Sequence, residues 1–145
     1  MNILFAVDGS EFTVKAAKFL INYLGTCKQV PDLHLLHVKA AIPVGLAVHR
    51  ARELLGDDVV NGYYKEEAEA SLAVAEKILR DANIAFQAEY KIGEASTEIG
   101  KYIKNHKIDM IVMGSHGHSA IGSILLGSVT SRVLASTDVP VLIVR

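Results

Sequence analysis

The sequence predicts an α/β fold: a five-stranded parallel open sheet with helices on both faces, formed by one domain over residues 1–145. Three observations lead there. Short apolar runs recur along the chain, each bounded by turn residues. Between them, apolar residues repeat every three or four positions, the spacing of helices with one buried face. The length of 145 residues suits a single domain with a sizeable core.

Taken in order, Ile3–Val7 is a continuous apolar run closed by Asp8-Gly9-Ser10, the pattern of a strand buried on both faces. Ser10 is placed to cap a helix whose Val14, Ala17, Ile21 and Leu24 share a face, with Gly25 as its stop. Leu33–Val38 makes the second strand. Pro43 and Gly45 punctuate the next stretch, and Leu46–Leu55 reads as a short helix broken by Gly56-Asp57-Asp58. Tyr64, Ala68, Leu72, Ala75 and Leu79 mark a long amphipathic helix running to about Ala82. Ile84–Ile92 is the third strand, ended by Gly93, and Ala95, Ile99, Tyr102 or Ile103, and His106 outline a shorter helix. Asp109–Gly114 is apolar enough to lie centrally in the sheet; Val129–Ala135 is the last helix and Val141–Val144, after Pro140, the fifth strand. Strands that alternate with helices imply parallel pairing and right-handed crossovers. Such sheets bind ligands outside the carboxyl ends of their strands, where strand order reverses. Position alone therefore singles out Asp8-Gly9-Ser10, His37-Val38 and Met113-Gly114.

Bulk composition narrows the partners. Fifteen Lys and Arg against sixteen Asp and Glu give a net charge of −1, without the basic excess that nucleic-acid binding demands, so no nucleic-acid partner is expected. No apolar run reaches the roughly 18 residues of a transmembrane helix, and the Met1–Asp8 start does not resemble a secretory leader; no membrane association and a cytoplasmic location are expected. Cys27 stands alone, which excludes an internal disulfide.

The chemistry concentrates in Gly114–Thr130, with glycines at 114, 117, 122 and 127. Gly114, after a buried strand, would let a ligand ring or sugar approach the backbone. Gly117 can take a positive φ and turn amides inward. Gly127-Ser128 precedes the last helix, whose N–H groups and positive dipole end suit an anion, and Ser128 and Thr130 add hydroxyls there. No lysine follows these glycines as a Walker A loop requires, and the spacing is not the G-x-G-x-x-G of dinucleotide sites.

The spacing Gly114-x2-Gly117-x9-Gly127-Ser128 resembles the nucleotide signature of the universal stress protein family, and so do Val7-Asp8-Gly9-Ser10, Val112–Gly117, Leu126–Thr130 and Val139–Val144. The resemblance spans essentially the whole chain. It implies a Rossmann-like sheet of order 3-2-1-4-5, ATP (or ADP or AMP), with or without Mg2+, in the crevice between strands one and four, and a homodimer. On the same resemblance adenine lies near Asp8 and Val38, ribose near Met113 and Gly114, and phosphates at Gly117, Gly127, Ser128, Val129 and Thr130. The candidate nucleotide set is completed by Ala6, Val7, His116 and His118. Many nucleotide-binding members carry Arg or Lys where this chain has His118, and an imidazole of pKa about 6.5 is mostly neutral at pH 7, which implies weaker or pH-dependent phosphate affinity.

Other readings stand beside these. Asp8 and Ser10 also suit a turn and helix cap. His116 and His118 lie two apart but lack a carboxylate or cysteine neighbour for a metal, and read as exposed loop histidines. His34 and His37 fall on opposite strand faces. Val139–Val144, an apolar edge, is expected to pair with the same strand of a second chain. For function, a nucleotide-binding regulatory dimer is favoured over a slow ATPase or adenylyl-transfer enzyme, because no second acid, arginine finger or positioned base beyond Asp8 is evident. A nucleotide-free dimer acting by protein contact is the third reading.

Overall fold

Each of the five apolar runs forms a strand in the computed structural model, which describes residues 1–41, 50, 53–54, 56–118 and 125–145. These are β1 (Asn2–Ala6), β2 (Asp32–Lys39), β3 (Gln87–Ile92), β4 (Met110–Gly114) and β5 (Val141–Val144). All neighbours pair in parallel, in the order β3-β2-β1-β4-β5. The order reverses between β1 and β4. Among the described residues four helices are delimited between them: α1 (Glu11–Thr26), α2 (Asp57–Asp81), α3 (Ala95–His106) and α4 (Ser128–Ser136). The short helix expected at Leu46–Leu55 lies largely outside the described residues.

Alternation along the strands decides which helix covers which side chain. Ile3, Phe5, Leu33, Leu35 and Val112 pack with Ala16, Ala17, Leu20 and Leu24 of α1 and Leu72, Ala75 and Leu79 of α2. On the other face Leu4, Leu36, Ile111 and Met113 meet Ile99, Tyr102 and Ile103 of α3 and Val133 of α4. The central strands are thus buried on both sides, which is why they read as unbroken apolar runs.

Several boundaries differ from expectation for local reasons. Gly25 does not end α1; the helix runs to Thr26 and closes with the Cys27 amide donating to the Leu24 carbonyl. Its buried stripe also includes Thr13, Ala16 and Leu20, with Val14 and Ile21 only half-buried. Ser10 occupies the N-cap position without a side-chain cap bond. α2 starts at Asp57, about two turns ahead of Tyr64 where its apolar stripe begins, directly after Gly56 at φ 83°. β3 begins at Gln87 instead of Ile84, because Asn83 (φ 57°) reverses the chain and Ile84 and Phe86 pack into the core before the ladder starts.

Among the described residues two histidines, His34 and His37, are buried, on opposite faces as the register required. His34 shares a hydrogen bond of 3.1 Å between its Nδ1 and the Tyr102 hydroxyl, and Tyr102 stacks on His106 at 3.8 Å. His37 faces the other side, where Nδ1–H donates to the Val7 carbonyl at 2.8 Å and Nε2 has no hydrogen-bond partner among the described residues. Burial holds both imidazoles below 6.5, helped at His34 by His106; at His37 the bond to the Val7 carbonyl and the charge of Asp8 oppose the shift.

Two outcomes are expected of this core. Leu35→Ala, at a fully buried position, should cost about 2–5 kcal/mol in urea unfolding with an unchanged m-value. Below pH ~6.5 the unfolded chain binds protons that folded His34 and His37 refuse, so their contribution is complete above that pH and is lost as the pH falls through the depressed folded values. Urea midpoints should therefore drop between about pH 7 and 5, with a shallower drop in His37→Gln.

Candidate functional site

The strand order reverses between β1 and β4, and there the chain leaves β1 toward α1 on one face and β4 toward α4 on the other. A cavity of about 370 Å³ opens between these departures. Its floor is apolar, formed by Ala6, Val7, Leu36, Val38 and Met113 at the strand ends. Asp8 and Thr13 form one wall, Ala95 and Ile99 of α3 another, and the rim combines Gly114, His116, Gly117 and His118 with Gly127, Ser128 and Val129. Every residue of the candidate nucleotide set lines this cavity except Thr130, whereas Gly9, Ser10 and His37, singled out by position alone, do not line it. Thr130 is buried, and its hydroxyl donates to the Gly114 carbonyl at 3.0 Å. Thr13, Leu36, Ala95 and Ile99 were not anticipated; only the position of Leu36 within an anticipated strand carried any signal.

Asp8 organises the end of β1. Its Oδ1 accepts from the Ser10 amide at 3.0 Å and from the Thr13 hydroxyl at 2.9 Å, while its own amide donates to Thr13 Oγ1 at 3.2 Å. One carboxylate oxygen therefore shapes the turn that leads into α1, whose N-cap Ser10 makes no side-chain cap bond. The other, Oδ2, faces Gly117: a Cβ there would lie 2.5 Å from it. His118 adds a fourth hydrogen bond, its Nε2–H donating to the Asp8 carbonyl at 2.8 Å. The ring is exposed, whereas His116 is half-buried beside Phe12 at 5.3 Å between ring centroids and meets the Ser115 hydroxyl at 3.1 Å. Among the described residues no cluster of His, Cys, Asp or Glu is suited to a metal ion.

The glycines act differently from the sequence expectation. Gly114 lines the cavity and also makes room for α1: a Cβ would fall 2.6 Å from that of Phe12 and 3.2 Å from the His116 carbonyl. Gly117 does not have a positive φ; Gly9, Gly56 and Gly93 are the described glycines that do. Its lack of a side chain instead admits the Asp8 carboxylate. Gly127 donates its amide to the Ser115 carbonyl at 2.8 Å, fastening the start of α4 to the end of β4. The first helical bond of α4 runs from Ser131 to the Gly127 carbonyl, so the N–H groups of Ser128, Val129 and Thr130 precede the ladder at the helix's positive end. No acidic residue occupies that first turn. The cavity thus joins an apolar floor, one carboxylate oxygen and a helix start that favours anions.

Known proteins share this fold. The universal stress protein family model matches residues 1–145. The chain is 31% identical over 144 residues to the universal stress protein MJ0531 of Methanocaldococcus jannaschii, covering 99% of this chain and 81% of that one. It is 40% identical over 79 residues to a universal stress protein of Synechocystis, a match spanning 54% of this chain but only 28% of that longer relative. Among solved structures, that of the hypothetical protein MJ0577 superposes with a TM-score of 0.78 at 29% identity, over 99% of this chain and 94% of that one. The universal stress protein of Archaeoglobus fulgidus, solved in complex with dAMP, superposes with a TM-score of 0.67 at 20% identity over 100% and 98% of the two chains.

Two of the rim glycines, Gly114 and Gly117, should respond unequally to substitution. Gly114→Ala drives a Cβ into the body of α1 and is expected to cost about 1–3 kcal/mol, unrelieved by Phe12→Ala because the clash is with a Cβ that alanine retains. Gly117→Ala meets one side-chain oxygen, Asp8 Oδ2, rather than the body of a helix and should cost less than Gly114→Ala, about 1 kcal/mol. Chemical unfolding of the three variants distinguishes these outcomes.

Proposed function

The chain belongs to the universal stress protein family, and from that premise we propose that its cleft binds an adenine nucleotide, ATP or its ADP and AMP relatives. In this reading the base lies against Val38 near Asp8, the ribose lies by Met113 and Gly114, and the phosphates lie at Gly117 and over the start of α4. The observation that carries it is the meeting, at the reversal of strand order, of an apolar floor with the N–H groups of Ser128–Thr130. A volume of about 370 Å³ falls in the range of small-molecule sites. The bound dAMP of the Archaeoglobus relative and the cAMP of another universal stress protein support the same ligand class. Any Mg2+ arrives on the phosphate chain, since the described residues offer no cage for it.

Binding, in this proposal, is itself the function: nucleotide occupancy of a cytoplasmic stress-response dimer is read by a protein partner at the surface around the cleft. The dimer forms through Val139–Val144. β5 is an edge strand whose residues are only half-buried, and a two-fold pairing of that edge would cover both copies.

Denaturing the purified protein and chromatographing the supernatant should release adenine nucleotides, and titration of the stripped protein should give a heat of binding. No released nucleotide and no heat would sink this reading. Gly117→Val, which forces a side chain onto Asp8 at the rim, should weaken binding by at least about tenfold while the protein stays folded. Ile143→Lys should shift light scattering toward the monomer on dilution, and an unchanged dimer would exclude the β5 edge as the interface.

A further inference from the structure

Arg132 lies one turn into α4, yet its side chain runs back toward the start of its own helix. Nε donates to the Ser128 carbonyl at 3.2 Å and Nη1 to Glu94 Oε1 at 3.0 Å. Ser128 lines the cleft, and so does Ala95, the residue that follows Glu94. The ion pair therefore joins the starts of α3 and α4 next to residues that line the cleft. This is an unfavourable address for a cation, because the first turn of a helix is its positive end. α4 supplies no acid of its own there, so the compensating anion comes from α3.

Glu94 is a committed anion. Its Oε2 accepts from the Ser96 hydroxyl at 2.7 Å and the Thr97 amide at 2.8 Å, and these bonds hold the carboxyl down at about 2. Arg132 is held more loosely. Both side chains are about half exposed (56% for Arg132, 44% for Glu94), and an ion pair so open to water adds little stability and exchanges partners readily. The guanidinium's Nη2 has no protein partner among the described residues, leaving donors for a second acceptor.

We propose that Arg132 determines specificity for the length of the phosphate chain, leaving Glu94 to take the terminal phosphates of a nucleoside di- or triphosphate, with Glu94 as its stand-in anion when no ligand is bound. The inference rests on the nucleotide reading of the cleft and adds which ligand the cleft prefers. A first phosphate is served by the N–H groups of the first α4 turn; a longer chain passes Ser128 and meets a guanidinium whose planar fork matches phosphate oxygens. Glu94, in turn, weakens polyphosphate binding by competing for the same group.

Calorimetric titration of the full chain with AMP, ADP and ATP tests this in the wild type, Arg132→Gln, Arg132→Lys and Glu94→Gln, with thermal unfolding of each as a check on the fold. Arg132→Gln should weaken ATP by about tenfold or more and AMP by less than about twofold, with Arg132→Lys between it and the wild type, and Glu94→Gln should strengthen ATP a few-fold. Equal losses for AMP and ATP, or an ATP affinity untouched by Arg132→Gln, overturn the proposal. A second arm uses inorganic tripolyphosphate against orthophosphate: tripolyphosphate should raise the melting temperature more in the wild type than in Arg132→Gln, and equal shifts in the two proteins overturn the role of Arg132. If the wild type ignores adenine nucleotides yet keeps the Arg132-dependent tripolyphosphate shift, the nucleotide reading fails and the arginine's phosphate role stands.

Discussion

At the centre of the sheet two parallel neighbours, β1 and β4, must send their chains onward to opposite faces, β1 into α1 and β4 into α4. Right-handed crossovers leave no other route. Neither connection can cover the space above the strand ends, so a cavity opens at the deeply buried centre of the sheet. Its apolar floor comes from the core strands themselves, with Met113 belonging to the core cluster and Ala6 and Val38 packed against it. The site is thus a consequence of the topology before it is a property of any loop.

Very little polar chemistry is then needed to give the cavity a character. Asp8 spends one carboxylate oxygen on the turn into α1 and accepts the His118 ring at its carbonyl, so the two rims are bound through one residue. Gly127 and Thr130 tie the start of α4 to Ser115 and Gly114 at the end of β4. These bonds fix a helix start beside an apolar slot, a combination that suits a ligand with a flat apolar end and an anionic end. Arg132 and Glu94 sit just outside, as a charge pair that the helix dipole alone would not favour.

The residues that were legible and those that were not differ in kind. The stripe of Tyr64, Ala68, Leu72, Ala75 and Leu79 is buried throughout, because one helix face against a sheet demands that period. Ser10 offered a plausible cap, yet Asp8 and Thr13 took the turn and left the Ser10 hydroxyl buried without a hydrogen-bond partner among the described residues. Gly114 and Gly117 stood in the expected segment for reasons that local pattern could not supply: one yields to Phe12 and the other to Asp8, partners about a hundred residues away. Ala95 and Ile99 carried no signal as cavity walls, since their apolar spacing explains equally well a face packed on the sheet.

By itself, the sequence determined the parallel α/β class, the core faces and the segment that borders the cavity, because apolar periodicity and glycine spacing are local properties that burial enforces residue by residue. Only the tertiary structure decided which glycine accommodates which neighbour, which oxygen of Asp8 faces Gly117, and that Glu94 and Arg132 meet between the starts of α3 and α4. Those outcomes depend on where crossovers bring distant turns together, and no local spacing encodes that distance.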